Sequence, residues 1–352
     1  HLQRARQLAE RDQVPGGLLY TYTYLAGAFQ HLAQFQKSLE WARRAIEFGE
    51  QTKLLTLTSA GHEYHAENFA FMGHWEAALE HARIDREIGE KTGLLDRVAW
   101  GGLSIMWACR GLGRLGEAVE AGRQSLEMAE ASGDRRLAIL ASAELANAMA
   151  DLGQLDEAAA FAGRSAELAS QLHQAYMTCQ ALDAQAYLCG LRGDWAAALQ
   201  ARQRVVEAAA DTDNRLIPMA NGPELAEAYF ELGQPDHAGQ PLESALRIAR
   251  ESDSAIPEAR ALRVRGRIRA AQGDWGGAQA DFGRGVELCE QWKDRLLLAR
   301  TLLDWGQLQA QRESGEAARK TLERALGIFS ECGAQPWVKR TKRALQGLAA
   351  ER

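Results

Sequence analysis

Amphipathic segments of helical periodicity follow one another along this chain, and the glycines that break them keep a strict beat. Gly73, Gly113, Gly153, Gly193, Gly233 and Gly273 fall forty residues apart, opening the phrases GHWEAA, GRLGEA, GQLDEA, GDWAAA, GQPDHA and GDWGGA. A fixed period of this size decides the architecture, because each unit buries its apolar face only against its neighbours. Each glycine reads as the left-handed residue ending one helix, A, where a β-carbon would be penalised, and the residue after it starts the turn into a second helix, B.

Small residues keep the same time. Ser38, Ala78, Ala118, Ala158, Ala198, Ala238, Ala278 and Ala318 recur without insertion or deletion, so the array extends to eight units. They let helix B approach helix A closely, beside bulky plugs at Trp75, Leu115, Leu155, Trp195 and Trp275. Helix A has its own small position at Ala26, Ala66, Ala146, Ala186, Ala226, Gly266 and Gly306, with Met106 the exception, followed three residues later by Phe29, Phe69, Cys109, Met149, Cys189 and Tyr229.

These offsets resemble the tetratricopeptide pattern of Leu-Gly-x-x-Tyr followed by a small alanine, over essentially residues 18–334. The resemblance implies an all-α, right-handed α-solenoid of about eight helical hairpins. A forty-residue unit is longer than the usual thirty-four and predicts helices of about four to five turns. Forty-residue repeats look like two groups, eukaryotic cell-polarity adaptors and the C-terminal sensor arrays of bacterial LuxR-type or maltose-activator-like signalling ATPases and ATPase-linked nucleotide cyclases. The ending ALGIFSECGAQPWVKRTKRALQGLAAER resembles the last repeat and cap of the bacterial arrays. The single-domain reading is therefore a remnant second helix at 1–13, eight repeats over 18–334 and a capping helix at 336–350. A start in mid-pattern, HLQRARQLAER, reads as a fragment of a longer protein.

The sixth unit breaks the rhythm. Pro218, Pro223, Pro235 and Pro241 are more than half of the chain's seven prolines, and they predict either a kink near 211–223 or a lengthened loop with a normal stack. In the eighth unit Glu313 replaces the turn glycine, which predicts a reshaped turn. The final helix carries Lys339, Arg340, Lys342, Arg343 and Arg352, a cationic face that suits a solenoid cap better than a DNA-binding arm.

Composition narrows the function classes. A net charge of −6 with interleaved signs offers no basic face for a phosphate backbone, and no window approaches a membrane span, so neither direct nucleic-acid nor membrane binding is expected. Five cysteines, odd in number and without CxxC spacing, fit a reducing cytoplasmic setting. Gly111-Leu112-Gly113-Arg114-Leu115-Gly116 spells a dinucleotide fingerprint but follows a helix instead of a strand, and Gly89-Glu90-Lys91-Thr92 lacks the first glycine of a phosphate loop. His62-Glu63-Tyr64-His65 is one residue short of a zinc-protease helix, and His65 stands where Leu25, Ile105, Leu145 and Leu225 pack. No nucleophile and base pair appears, so no catalytic residue, metal site or cofactor is expected and the chain reads as no enzyme.

The register places a ligand surface. In tetratricopeptide superhelices the A helices line the concave side, which here presents Tyr20, Glu63, Glu67, Trp100, Trp107, Asn147, Asp183, Tyr187, Glu227, Arg260, Arg263 and Arg267. Thr23, Arg300 and Gln307 share these positions. Aromatic faces among carboxylates suit peptide or sugar-like ligands, and an arginine stripe suits a carboxylate or acidic segment. The adaptor arrays repeatedly carry Asn just after the small residue of helix A, and this chain has Asn147 alone there, which favours the sensor-array resemblance. The expected function is a protein-interaction or effector-sensing domain of a bacterial transcription or signalling regulator. Its expected partner is a protein or peptide, including another domain of the same polypeptide, with a small-molecule effector as a further candidate. The alternative is a stand-alone scaffold that recruits a peptide.

Overall fold

The computed structural model describes residues 15–312 and 315–350, so the remnant helix expected at 1–13 and the altered turn at Glu313 lie outside the described residues. Seventeen α-helices and no strand make up the described chain. In order they are α1 (Pro15–His31), α2 (Phe35–Thr52), α3 (Leu55–Met72), α4 (Trp75–Thr92), α5 (Leu95–Gly111) and α6 (Leu115–Ser132). There follow α7 (Arg135–Leu152), α8 (Leu155–Leu172), α9 (Ala175–Arg192), α10 (Trp195–Ala209), α11 (Leu216–Glu231) and α12 (Gly239–Glu251). The last five are α13 (Ala255–Ala271), α14 (Trp275–Gln291), α15 (Arg295–Arg312), α16 (Gly315–Cys332) and α17 (Gln335–Ala350). Each helix packs on the next, which makes the fold an all-α solenoid of tetratricopeptide-like hairpins.

The helix breaks repeat every twenty residues, twice as often as the glycines alone suggest. All six beat glycines have positive φ, from +70° at Gly233 to +87° at Gly153. So does Ala33, forty residues before Gly73 on the same beat, and so do Gly93, Gly133 and Gly333 with Lys53, His173, Asp253 and Lys293 at the half-period positions. Except after His173, the following residue donates its N–H to the carbonyl five back, as Gln34 does to Phe29 and Asp294 to Cys289, closing the helix end with a Schellman turn. Non-glycine residues take this conformation because the flanking helices are packed on both sides.

The proline-rich unit is a lengthened connection. Helix α10 stops at Ala209, residues 210–215 bridge to α11, and the left-handed position expected at 213 is skipped. Pro218 and Pro241 fall in first helical turns, where a missing N–H costs nothing, while Pro223 lies inside α11. A 3₁₀ turn, Pro235–His237, replaces the first turn of the B helix.

Successive superhelical turns touch. Helices α3, α5 and α7 contact α13, α15 and α17 respectively, so one turn of the coil takes five hairpins. The seam is specific. Arg215 N–H bonds the His31 carbonyl at 2.7 Å, and Ala33, Phe35 and Met72 share a buried cluster with Leu216, Met219, Ile248 and Ala249. The His74 and Trp292 rings stack 3.6 Å apart and nearly parallel, and Lys293 Nζ meets Glu76 at 2.7 Å. Gly73 lies against Ile256 and Gly153 against Pro336, so the turn between helices A and B of one hairpin abuts the start of helix A five hairpins on.

Candidate functional site

Because the coil closes on itself, the concave face becomes the wall of an interior channel. Its first chamber, about 250 Å³, draws on seven consecutive hairpins, from Phe71 on α3 to Arg300 on α15. Phe71, Trp107, Tyr176 and Tyr187 supply aromatic surface, while Glu144, Asn147, Asp183, Arg110 and Arg260 supply polar groups. A second chamber of about 580 Å³ continues toward α17 and is lined by Glu227, Arg263, Arg267, Trp337 and Arg340 among others. Tyr187 and Arg300 line both chambers.

The first chamber has a rigid polar floor. Asp151, 1% exposed, accepts from Tyr187 Oη, from Arg110 Nε at 2.9 Å and from Trp337 Nε1 at 3.4 Å. Burial, reinforced by the Asp151 carboxylate, holds the Tyr187 phenol well above its ordinary pKa, so it stays a donor. Arg202 pairs with Asp183 and reaches Asn221 Oδ1 at 3.3 Å. Asn147 is different. It is 4% exposed, its Nδ2 has a long 3.4 Å contact to Glu144, and its Oδ1 has no partner. A buried amide oxygen without a donor carries a desolvation penalty of about 1–3 kcal/mol that a ligand N–H would relieve.

The second chamber holds a dense ion network in which the Nε atoms of Arg263 and Arg300 have no partner. Arg263, 2% exposed, reaches both Glu227 oxygens, at 2.9 and 2.5 Å, and Asp304 at 2.6 Å. Arg267 adds contacts of 2.8 Å to Glu227 and 2.6 Å to Glu231. Burial alone would raise the Glu227 pKa, but Arg263, Arg300 and Arg267 together outweigh it and hold the carboxyl well below the usual range. The arginine stripe expected to face a ligand is therefore largely occupied by the protein's own carboxylates.

Of the residues placed in the channel from sequence, the structure brings Trp107, Asn147, Asp183, Tyr187 and Arg260 together in the first chamber, and Glu227, Arg263 and Arg267 in the second. Glu63 and Glu67 are buried away from both, against Arg97 and Gln30. Trp100 packs beside the core, and Tyr20 is 64% exposed and stacked on Tyr24. These four belong to neither chamber because the channel forms where hairpins meet across the seam. Residues missed in the sequence, including Phe71, Arg110, Tyr176, Trp337 and Arg340, enter for the same reason. Arg110 and Phe71 do sit at fixed offsets after the small position of helix A, which is a usable signal.

The dismissed motifs resolve into packing. A β-carbon on Gly111 would lie 2.3 Å from the Trp75 ring, and Gly113 takes φ +75° beside Cys332 and Arg295. One on Gly89 would lie 2.7 Å from the Val98 nitrogen, a close helix crossing. His62 Nδ1 meets His81 Nδ1 at 2.8 Å and His65 stacks on His81, and burial pushes the His62 and His81 pKa values down to about 4. Among the described residues no group of three or more His, Cys, Asp or Glu is placed to hold a metal ion, and no helix is long and apolar enough to cross a membrane. The cysteines are free, with Cys109, Cys179, Cys289 and Cys332 buried.

No family model and no curated protein matches the chain. Among solved structures it is similar to a Rap protein complexed with competence and sporulation factor, with a TM-score of 0.68 at 15% identity over 95% of this chain and 98% of that one. It is also similar to the Rap conjugation gene regulator of plasmid pLS20 in complex with the Phr* peptide, with a TM-score of 0.63 at 14% identity over 84% of this chain and 79% of that one. The apo form of RapI gives a TM-score of 0.55 at 15% identity, covering 71% of this chain and 89% of that one. These likenesses concern the fold.

Proposed function

We propose that this chain is a non-catalytic, effector-sensing interaction domain of a bacterial signalling regulator, and that the effector is a peptide held inside the coil. Asn147 carries the reading. A buried carboxamide with a free acceptor, set among Trp107, Tyr176 and Tyr187 in the first chamber, matches a peptide backbone N–H flanked by side chains. Two of the similar solved structures hold a competence and sporulation factor and a Phr* peptide, which supports the same class of ligand. The unit of binding is the whole array, eight repeats over 18–334 with the cap at 336–350, acting in the cytoplasm.

The context divides into two. The C-terminal resemblance points to a sensor array attached to a signalling ATPase, whereas the likeness to Rap structures favours a scaffold that docks its partner directly. An upstream nucleotide-binding domain in the gene product would support the first.

The peptide reading is tested with a library of pentapeptides, read as a rise in the melting temperature, since a ligand selective for the folded state stabilises it. Asn147→Ala removes the unpaired oxygen, so it leaves stability equal or higher while lowering peptide affinity at least about tenfold, or ~1.4 kcal/mol. A library that never raises the melting temperature, or an Asn147→Ala protein with undiminished affinity, overturns the proposal.

A further inference from the structure

Two guanidinium groups beside Trp337 in the second chamber are not satisfied by its carboxylates. Six arginines line it, Arg202, Arg263, Arg267, Arg300, Arg340 and Arg343, against four carboxylates, Glu224, Glu227, Glu231 and Asp304. Those carboxylates are engaged by Arg263, Arg267 and Arg260, with Arg260 Nε 3.8 Å from Glu224. Arg300 is left with one long contact, 3.5 Å to a Glu227 oxygen already held by Arg263, and its buried Nε has no partner. Arg340 touches no carboxylate among the described residues. It donates to the carbonyls of Leu191 at 2.8 Å and Gly190 at 3.4 Å, the open C-terminal end of α9.

Both groups converge on one side chain. The guanidinium carbons of Arg300 and Arg340 each stand 4.9 Å from the Trp337 ring centroid, and the ring is 8% exposed. Two cations held beside one indole repel each other. Burial, and then the charge of Arg300, pull the Arg340 pKa down, whereas carboxylates raise those of Arg110, Arg202, Arg263 and Arg267. Partly buried, fork-shaped donors with unused N–H groups bind a planar carboxylate in a bidentate, charge-assisted manner.

We infer that Arg300 and Arg340, set against Trp337 where the two chambers meet the cap, form a carboxylate-binding subsite that takes the C-terminal α-carboxylate of the bound peptide. The choice of a peptide as the carboxylate's source rests on the proposed function above. The peptide then lies with its C-terminus toward α17 and its body past Tyr187 and Asn147 toward Trp107.

The test uses 19F NMR of the whole chain labelled with 5-fluorotryptophan, whose nine tryptophans give one Trp337 signal identified by Trp337→Phe. Three probes are titrated: acetyl-trialanine as the free acid, the same peptide as its amide, and glutarate. The free acid is expected to shift the Trp337 signal with at least tenfold higher affinity than the amide. Arg300→Gln and Arg340→Gln, each checked for unchanged helical circular dichroism, are expected to abolish that preference. Equal binding of acid and amide, a preference that survives both substitutions, or no binding of any probe overturns the inference. Glutarate binding tenfold tighter than the tripeptide, and lost in both variants, supports the carboxylate subsite while assigning it to a small acid and overturning the peptide reading.

Discussion

The Trp75 indole N–H donates to Asp294 Oδ2 at 3.2 Å, joining residues 219 positions apart in the chain and one full superhelical turn apart in space. Asp294 is 4% exposed, and its other oxygen accepts the Leu297 N–H at 2.9 Å, so the same carboxylate caps α15 and anchors the seam. A bond of this kind turns an open spiral into a coil with an inside.

Trp75→Phe keeps the ring surface but leaves one oxygen of a buried carboxylate unpaired. The expected cost is about 1–3 kcal/mol, measured by urea denaturation. The amide proton of Arg215, bonded to His31 across the same seam, should exchange faster in this variant. Unchanged exchange at Arg215 would mean that the seam is not cooperative.

Two glycines separate backbone strain from seam packing. Gly93 has φ +72°, and a β-carbon there would meet nothing within 4 Å, so Gly93→Ala is expected to cost only the left-handed penalty of about 1–2 kcal/mol. Gly73 has φ +85°, and a β-carbon there would lie 2.1 Å from Ile256 Cγ1. Gly73→Ala should therefore cost clearly more and lower the melting temperature further. Equal losses would show that the turns of the coil are not in firm contact.

The hairpin fold was legible because its two determinants, turn glycines and small inter-helix residues, are local and repeat. The twenty-residue beat was hidden, since Lys53, His173, Asp253 and Lys293 adopt left-handed conformations that their residue types do not announce. Closure of the coil was hidden for a deeper reason. Trp75, Trp195 and Trp275 hold equivalent positions, yet Trp75 meets Asp294, Trp195 lines the second chamber and Trp275 lies under Arg312, 5.2 Å from its guanidinium. Which fate each meets depends on residues outside its own hairpin. The self-pairing of the arginine stripe is within reach of the register, because Glu227 and Arg267 are one repeat apart at the same position and bond at 2.8 Å.

Removing the Asp151 carboxylate tests whether the chamber floor is an integrated unit. Asp151→Asn leaves Arg110, which stands 5.3 Å from the Tyr187 ring centroid, without its buried counter-charge. Breaking one side of a buried pair costs about 3–5 kcal/mol. Pairing the change with Arg110→Met should recover a large part of that loss, and a double-mutant cycle by chemical denaturation gives the coupling.

The buried acids of the second hairpin predict an inverted pH response. Burial, then the neighbouring Glu63, push the Glu67 carboxyl from 4.5 up to about 8, although the Gln30 amide donates to it at 2.9 Å. Between those two values the folded chain holds a proton that the unfolded chain has released, so this group's stabilisation is complete below about 4.5 and is lost as pH rises through about 8. Wild-type stability should therefore fall relative to a variant that cannot titrate at this position, while the depressed imidazoles of His62 and His81 raise the stability of both proteins up to about pH 6.5. Glu67→Gln mimics the protonated acid, keeps an acceptor for Gln30, and should be more stable than wild type at pH 8 by more than about 1 kcal/mol while matching it near pH 4.5. Glu63 and Asp85 are raised by burial as well and titrate in both proteins, so the prediction concerns the difference between variant and wild type at each pH. Denaturation midpoints at both ends of the range decide the matter: a wild type that gains stability from pH 5 to 8 at least as fast as the Gln variant would contradict a protonated Glu67.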